Sequence, residues 1–123
     1  MKWLLLLCMG LVACSARHDA GNLVDGYQLL AMNPAELYVA KSDRELVLGP
    51  TIEKIGMQNE VIVVYCGMEN RAVNGFTNTV GYNVIFAKTG EVVKGLNEQQ
   101  LHDLLQARNV LPPQLEAPQK YFH

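Results

Sequence analysis

The chain has 123 residues, half of them hydrophobic and 18% charged, with a net charge of -2. That is enough for one domain with one core and too little for two domains of ordinary size. Its ten Lys and Arg are spread along the sequence without a basic cluster, which excludes the electrostatic footprint of a nucleic-acid binder.

In chain order the first element is Met1-Lys2 followed by an unbroken apolar run from Trp3 to Ala13. About eleven residues fall well short of the roughly 20 that cross a hydrocarbon core as a helix. A positive start, a short apolar run and a small-residue end make residues 1–13 a signal peptide, in preference to a buried helix or strand. The run ends at Leu11-Val12-Ala13-Cys14.

Those four residues resemble the lipobox of bacterial lipoproteins, in which a branched apolar residue, a tolerant position and a small residue precede the cysteine to be lipidated. Cys8 does not fit, because Leu7 ahead of it is too large for the cleavage position. The resemblance implies a diacylglyceryl thioether on Cys14, cleavage after Ala13, and an acylated Cys14 as the first mature residue. The lipid bilayer is then a partner, and two or more acyl chains give a stable anchor at ~0.8 kcal/mol per buried methylene. Ser15, where an Asp would mark retention at the inner membrane, implies an outer-membrane destination facing the periplasm. With Cys8 removed and Cys14 alkylated, Cys66 is the only thiol of the mature chain. A lone cysteine after Val61-Ile62-Val63-Val64-Tyr65 reads as a small buried hydrophobe, the alternative being a reactive nucleophile.

Residues 14–22 are polar and aperiodic and read as the lipidated cysteine and a flexible tether. The single domain is expected over 23–111. Short β-branched and aromatic runs at Tyr27–Met32, Leu37–Ala40 and Glu45–Leu48 are each followed by turn residues. Asn33-Pro34-Ala35-Glu36 reads as a turn between strands, although the same residues suit a helix start. Thr51–Met57 alternates irregularly, and Gln58-Asn59-Glu60 is a turn. Val61–Cys66 is continuously apolar, which predicts a central strand buried on both faces. Thr79–Ala87 is a further strand, joined through Lys88-Thr89-Gly90-Glu91 to Val92-Val93. Asn97 and Gln100 form a capping box for a helix whose Leu101, Leu104 and Leu105 make one apolar stripe, and Pro112-Pro113 lies beyond its end near Asn109. Residues 112–123 read as a proline-containing tail that either packs its Tyr121-Phe122 end on the sheet or stays free.

The fold class is therefore α+β: a small antiparallel meander of about six short strands with one C-terminal helix packed on it. The segments Gly49-Pro50-Thr51-Ile52 to Gly56, Tyr82–Ile85, Gly90 and Gly95-Leu96 resemble small bacterial lipoproteins with a meander and a terminal helix. That resemblance implies the fold and lends no activity.

Catalysis needs convergent acid, base or nucleophile groups. His18 lies in the tether, His123 is the last residue, and His102 sits beside Asp103 on the polar side of the helix. No metal-ligand, phosphate-loop, dinucleotide or nucleophile-elbow motif occurs, and the carboxylates are scattered singly, so no catalytic residue, cofactor or metal is assigned. The segment that stands out is Gly67–Gly81, which lies between the two strongest strands and carries Arg71, Asn74, Phe76 and Asn78. A polar loop with an Arg and an aromatic on a rigid sheet suits recognition of a protein; the plainer account is a hairpin turning at Asn74-Gly75. The sequence thus predicts a non-catalytic, membrane-anchored protein-binding module, such as an immunity-type inhibitor of a toxin or lipase. The alternatives are an envelope assembly or structural accessory and, third, a hydrolase.

Overall fold

The structure is a computed structural model that describes residues 20–33, 36–67, 72–73, 76–77 and 79–122. Among the described residues, ten strands and one α-helix follow in order: β1 Ala20–Asn22, β2 Gln28–Asn33, β3 Glu36–Ala40, β4 Leu46–Leu48, β5 Ile52–Gln58, β6 Val61–Cys66, β7 Ala72–Val73, β8 Phe76–Thr77, β9 Gly81–Phe86, β10 Glu91–Leu96 and α1 Glu98–Ala107. Every pairing is antiparallel.

The expected single sheet is in fact two. β1-β2-β3-β4 form one four-stranded sheet, β10-β9-β6-β5 form a second, and β7-β8 form a separate two-stranded ribbon. The break is at Gly49-Pro50-Thr51. Pro50 has no N–H to continue a ladder, and its carbonyl instead accepts from Leu37 N at 2.9 Å. The chain leaves the first sheet there and starts the second.

Leu29, Val39 and Leu48 of the first sheet pack against Ile52, Ile55, Ile62, Val64 and Ile85 of the second to form the larger core. On the other face of the second sheet Val61, Val63, Val84 and Phe86 meet Leu105, with Leu101 and Leu104 beside it. The second sheet is therefore the middle layer, which accounts for β6: Val61, Ile62, Val63 and Val64 alternate between two interiors and all are buried. Each such side chain contributes roughly 1.5–3 kcal/mol by leaving water.

β5 explains its own irregular pattern. Ile52 pairs with Cys66 and Lys54 with Tyr65, so Glu53 is an extra residue in the ladder. This bulge puts Ile52 and Ile55, three apart, on the same buried face.

The helix has the predicted cap. Asn97 Oδ1 accepts from Gln100 N at 2.8 Å, and Gln100 Oε1 accepts from Asn97 N at 2.9 Å. It ends at Ala107, two residues before the expected end, and Asn109 turns the chain with φ of 58°.

The domain begins at β1, inside the stretch expected to be tether: Ala20 pairs with Leu30 and Asn22 with Gln28. The tail also belongs to the domain. Ile55 and Glu116 exchange both backbone hydrogen bonds, at 2.9 and 3.0 Å, and Tyr121 and Phe122 pack on the larger core. The Tyr121 carbonyl lies where a Cβ on residue 21 would be, so Gly21 is the residue that lets the tail close against β1.

Candidate functional site: the open end of the sandwich

The two sheets are aligned end to end. Val24, just after β1, donates its N–H to Met57 Sδ near the end of β5 at 3.3 Å, and the short link from β4 to β5 joins the opposite ends. One end of the sandwich therefore collects the β2–β3 connection, the link to β5, the last residue of β6, the first of β9, the last of β10 and the N-terminus of α1. The other collects the tight turns and the C-terminus of α1.

The first of these, the open end, is where the 67–81 segment starts and returns, because Cys66 pairs with Gly81. Arg71, Asn74 and Asn78 lie outside the described residues. Phe76 is on β8, which pairs with β7 as Val73 opposite Phe76 and Ala72 opposite Thr77.

The roots of the segment carry a feature that the sequence reading missed. Tyr65 and Tyr82 are cross-strand partners whose ring centroids are 4.8 Å apart at 53°, a tilted aromatic pair. With Val80, Leu96, Asn97, Glu98 and Gln100 they line an open groove of about 550 Å³. The capping box engages Asn97 Oδ1 and Gln100 Oε1 as acceptors, and each of these groove-lining side chains keeps its amide NH2 as a donor group. Glu98 adds a carboxylate. The groove thus offers aromatic surface, two neutral donors and an acidic acceptor, a set suited to a polar peptide surface.

A buried amide holds this end together. Asn83, with no exposed surface, donates from Nδ2 to Thr79 O at 3.1 Å and to Gly81 O at 3.2 Å, and its Oδ1 accepts from Gly95 N at 2.9 Å. Gly95, at φ of 71°, sits in the irregular stretch of β10 between Val93 and Leu96. Asn83 therefore fixes both the root of the segment and the bulge from which the helix is launched.

No protein-family model, curated protein or solved structure matches this chain.

Cys66 is buried beneath the same root. Burial pushes its thiol up to about 11; a hydrogen bond with Asn83 lowers it in part, Glu53 raises it further and Lys94 lowers it slightly. A thiol held neutral at physiological pH is a packing group rather than a nucleophile. His102 is exposed on the far part of α1, bordering an apolar groove of about 350 Å³ with Leu105, Val110, Leu111 and Pro112. Among the described residues no three His, Cys, Asp or Glu side chains converge as metal ligands, and no helix is long and apolar enough to cross a membrane.

Proposed function

We propose that the chain is a bacterial lipoprotein of the cell envelope, anchored through acylated Cys14 to the periplasmic face of the outer membrane, that acts by binding another protein. The observation that carries this reading is Leu11-Val12-Ala13-Cys14 at the end of the apolar run. The tyrosine-lined groove beside the 67–81 segment is the contact surface, and an immunity-type inhibitor of a toxin or lipase is the form of binding module that such an anchored domain suits. Its support is the concentration of aromatic, amide and acidic groups at one end of an otherwise closed sandwich.

Mass spectrometry of protein isolated from membranes tests the anchor: the mature chain starts at Cys14 and carries the lipid mass, and Cys14→Ala leaves the membrane fraction. An unmodified Cys14 refutes it. Capture from envelope extract then compares wild type with the Tyr65→Ala/Tyr82→Ala double variant. One dominant protein held by wild type and lost by the variant supports the groove as the contact; equal capture by both places the contact elsewhere.

A further inference from the structure

We propose that the tyrosine-lined groove takes an arginine side chain of the partner protein, stacked on the Tyr65–Tyr82 pair and forked onto the Glu98 carboxylate. This rests on the protein-binding reading above and adds the chemistry of the residue that the groove selects.

The molecule already holds one such arrangement, at the end opposite the groove, the closed end. On the helix-covered face of the second sheet, β9 presents Tyr82, Val84 and Phe86 in alternation. Phe86 stands opposite Glu91 of β10. Arg108, just past α1, covers both. Its Nη1 and Nη2 donate to Glu91 Oε1 and Oε2 at 3.1 and 3.0 Å, and its guanidinium carbon lies 4.3 Å from the centre of the Phe86 ring. A planar fork that stacks on an aromatic ring while it grips a carboxylate is a property of arginine and not of lysine.

At the open end, four residues earlier on the same face, β9 presents Tyr82 beside the ring of Tyr65. Leu96 takes the place on β10 that Glu91 has beside Phe86, and the carboxylate comes instead from Glu98, the first residue of α1. Aromatic surface and acid thus both line the groove, yet no Lys, Arg or His is among the described residues that line it. Lys54 stands opposite Tyr65 on β5 and does not line the groove either.

An anion is the other ligand that a helix start could draw. Here that positive end is already answered, because Asn97 Oδ1 accepts from Gln100 N and Glu98 lies in the first turn. The only formal charge on the groove lining is negative, so the groove complements a cation. The ring pair favours the weakly hydrated guanidinium over an ammonium.

The test follows, by NMR, the isotope-labelled protein as isolated from membranes in a neutral detergent. It is titrated with acetyl-Gly-Arg-Gly amide and with the matching citrulline peptide, which keeps the shape and lacks the charge. Saturable shifts are expected at Tyr65, Tyr82 and Glu98. The citrulline peptide should bind about tenfold more weakly, and Glu98→Gln should weaken the arginine peptide by a similar factor. Equal binding of the two peptides, no saturable shift at these residues, or full affinity in Glu98→Gln overturns the proposal. Capture from envelope extract separates this failure from that of the reading beneath it. Capture lost by Tyr65→Ala/Tyr82→Ala but kept by Glu98→Gln leaves the groove as the contact and removes the arginine. Capture kept by both variants removes the groove itself.

Discussion

The two ends of the sandwich are built differently. The closed end is finished with short turns and charge pairs. Asn59-Glu60 makes a two-residue connection with Asn59 at φ of 57°. Lys41 pairs with Glu45 at 3.6 Å, and Lys88 with Glu60 at 3.8 Å. Arg108 forks onto Glu91 at 3.0 and 3.1 Å while its guanidinium lies 4.3 Å from the centre of the Phe86 ring. The open end instead has a groove, exposed Met32 and Val80, a longer connection, and a single buried amide as its internal brace. Exposed ion pairs cost little to keep and little to lose, whereas a buried polar brace is expensive to break. The contrast shows that the closed end tolerates change and the open end carries the constraint.

The largest effect should come from Asn83→Leu, which removes the brace and leaves the Gly95 N–H and the Thr79 and Gly81 carbonyls without it. A loss of about 3 kcal/mol in urea unfolding is expected, with faster hydrogen exchange at Thr79–Gly81 and Gly95 than at the closed end. Loss of stability without that local exchange pattern would mean that Asn83 supports the whole core and not the open end. Truncation after Ala117 comes next. It removes buried Pro118 and the packed Tyr121 and Phe122, so about 2 kcal/mol is expected, with exchange rising first in β1.

Glu91→Gln at the closed end should change least. Hydrogen bonding to Arg108 holds the Glu91 carboxyl below its ordinary range. The pair's contribution is thus complete above the unfolded-state carboxylate range and disappears as pH falls through the lower folded value. Wild type and Glu91→Gln should differ slightly near neutrality, and the difference should vanish on acidification and shrink in salt. A difference that grows in acid would contradict the assignment.

Much of the middle layer was legible in the sequence. Four consecutive β-branched residues in Val61–Val64 can all be buried only where a strand has cover on both sides, and Asn97 with Gln100 fixed the helix start. The division into two sheets was not legible, because Gly49-Pro50-Thr51 reads equally as a turn within one sheet. β1 was invisible because Ala20-Gly21-Asn22 is held by backbone pairing and by the returning tail, neither of which leaves a side-chain pattern. Asn83 looked like one more residue of an alternating strand, since its role depends on Gly95 twelve positions later. At the candidate site, the 67–81 segment was identifiable by length and composition, but the Tyr65–Tyr82 groove emerges only from the register of β6 with β9.

The close fit of the Tyr121 carbonyl on Gly21 has a mechanical consequence. Any pull on the chain ahead of Ala20 enters the domain through a strand of three residues, which by itself would peel from β2 almost at once. The last turn of the chain clamps that strand from its other side, so tension is shared between the β2 ladder and the packed tail. The C-terminal residues thus set how much load the N-terminal attachment can bear.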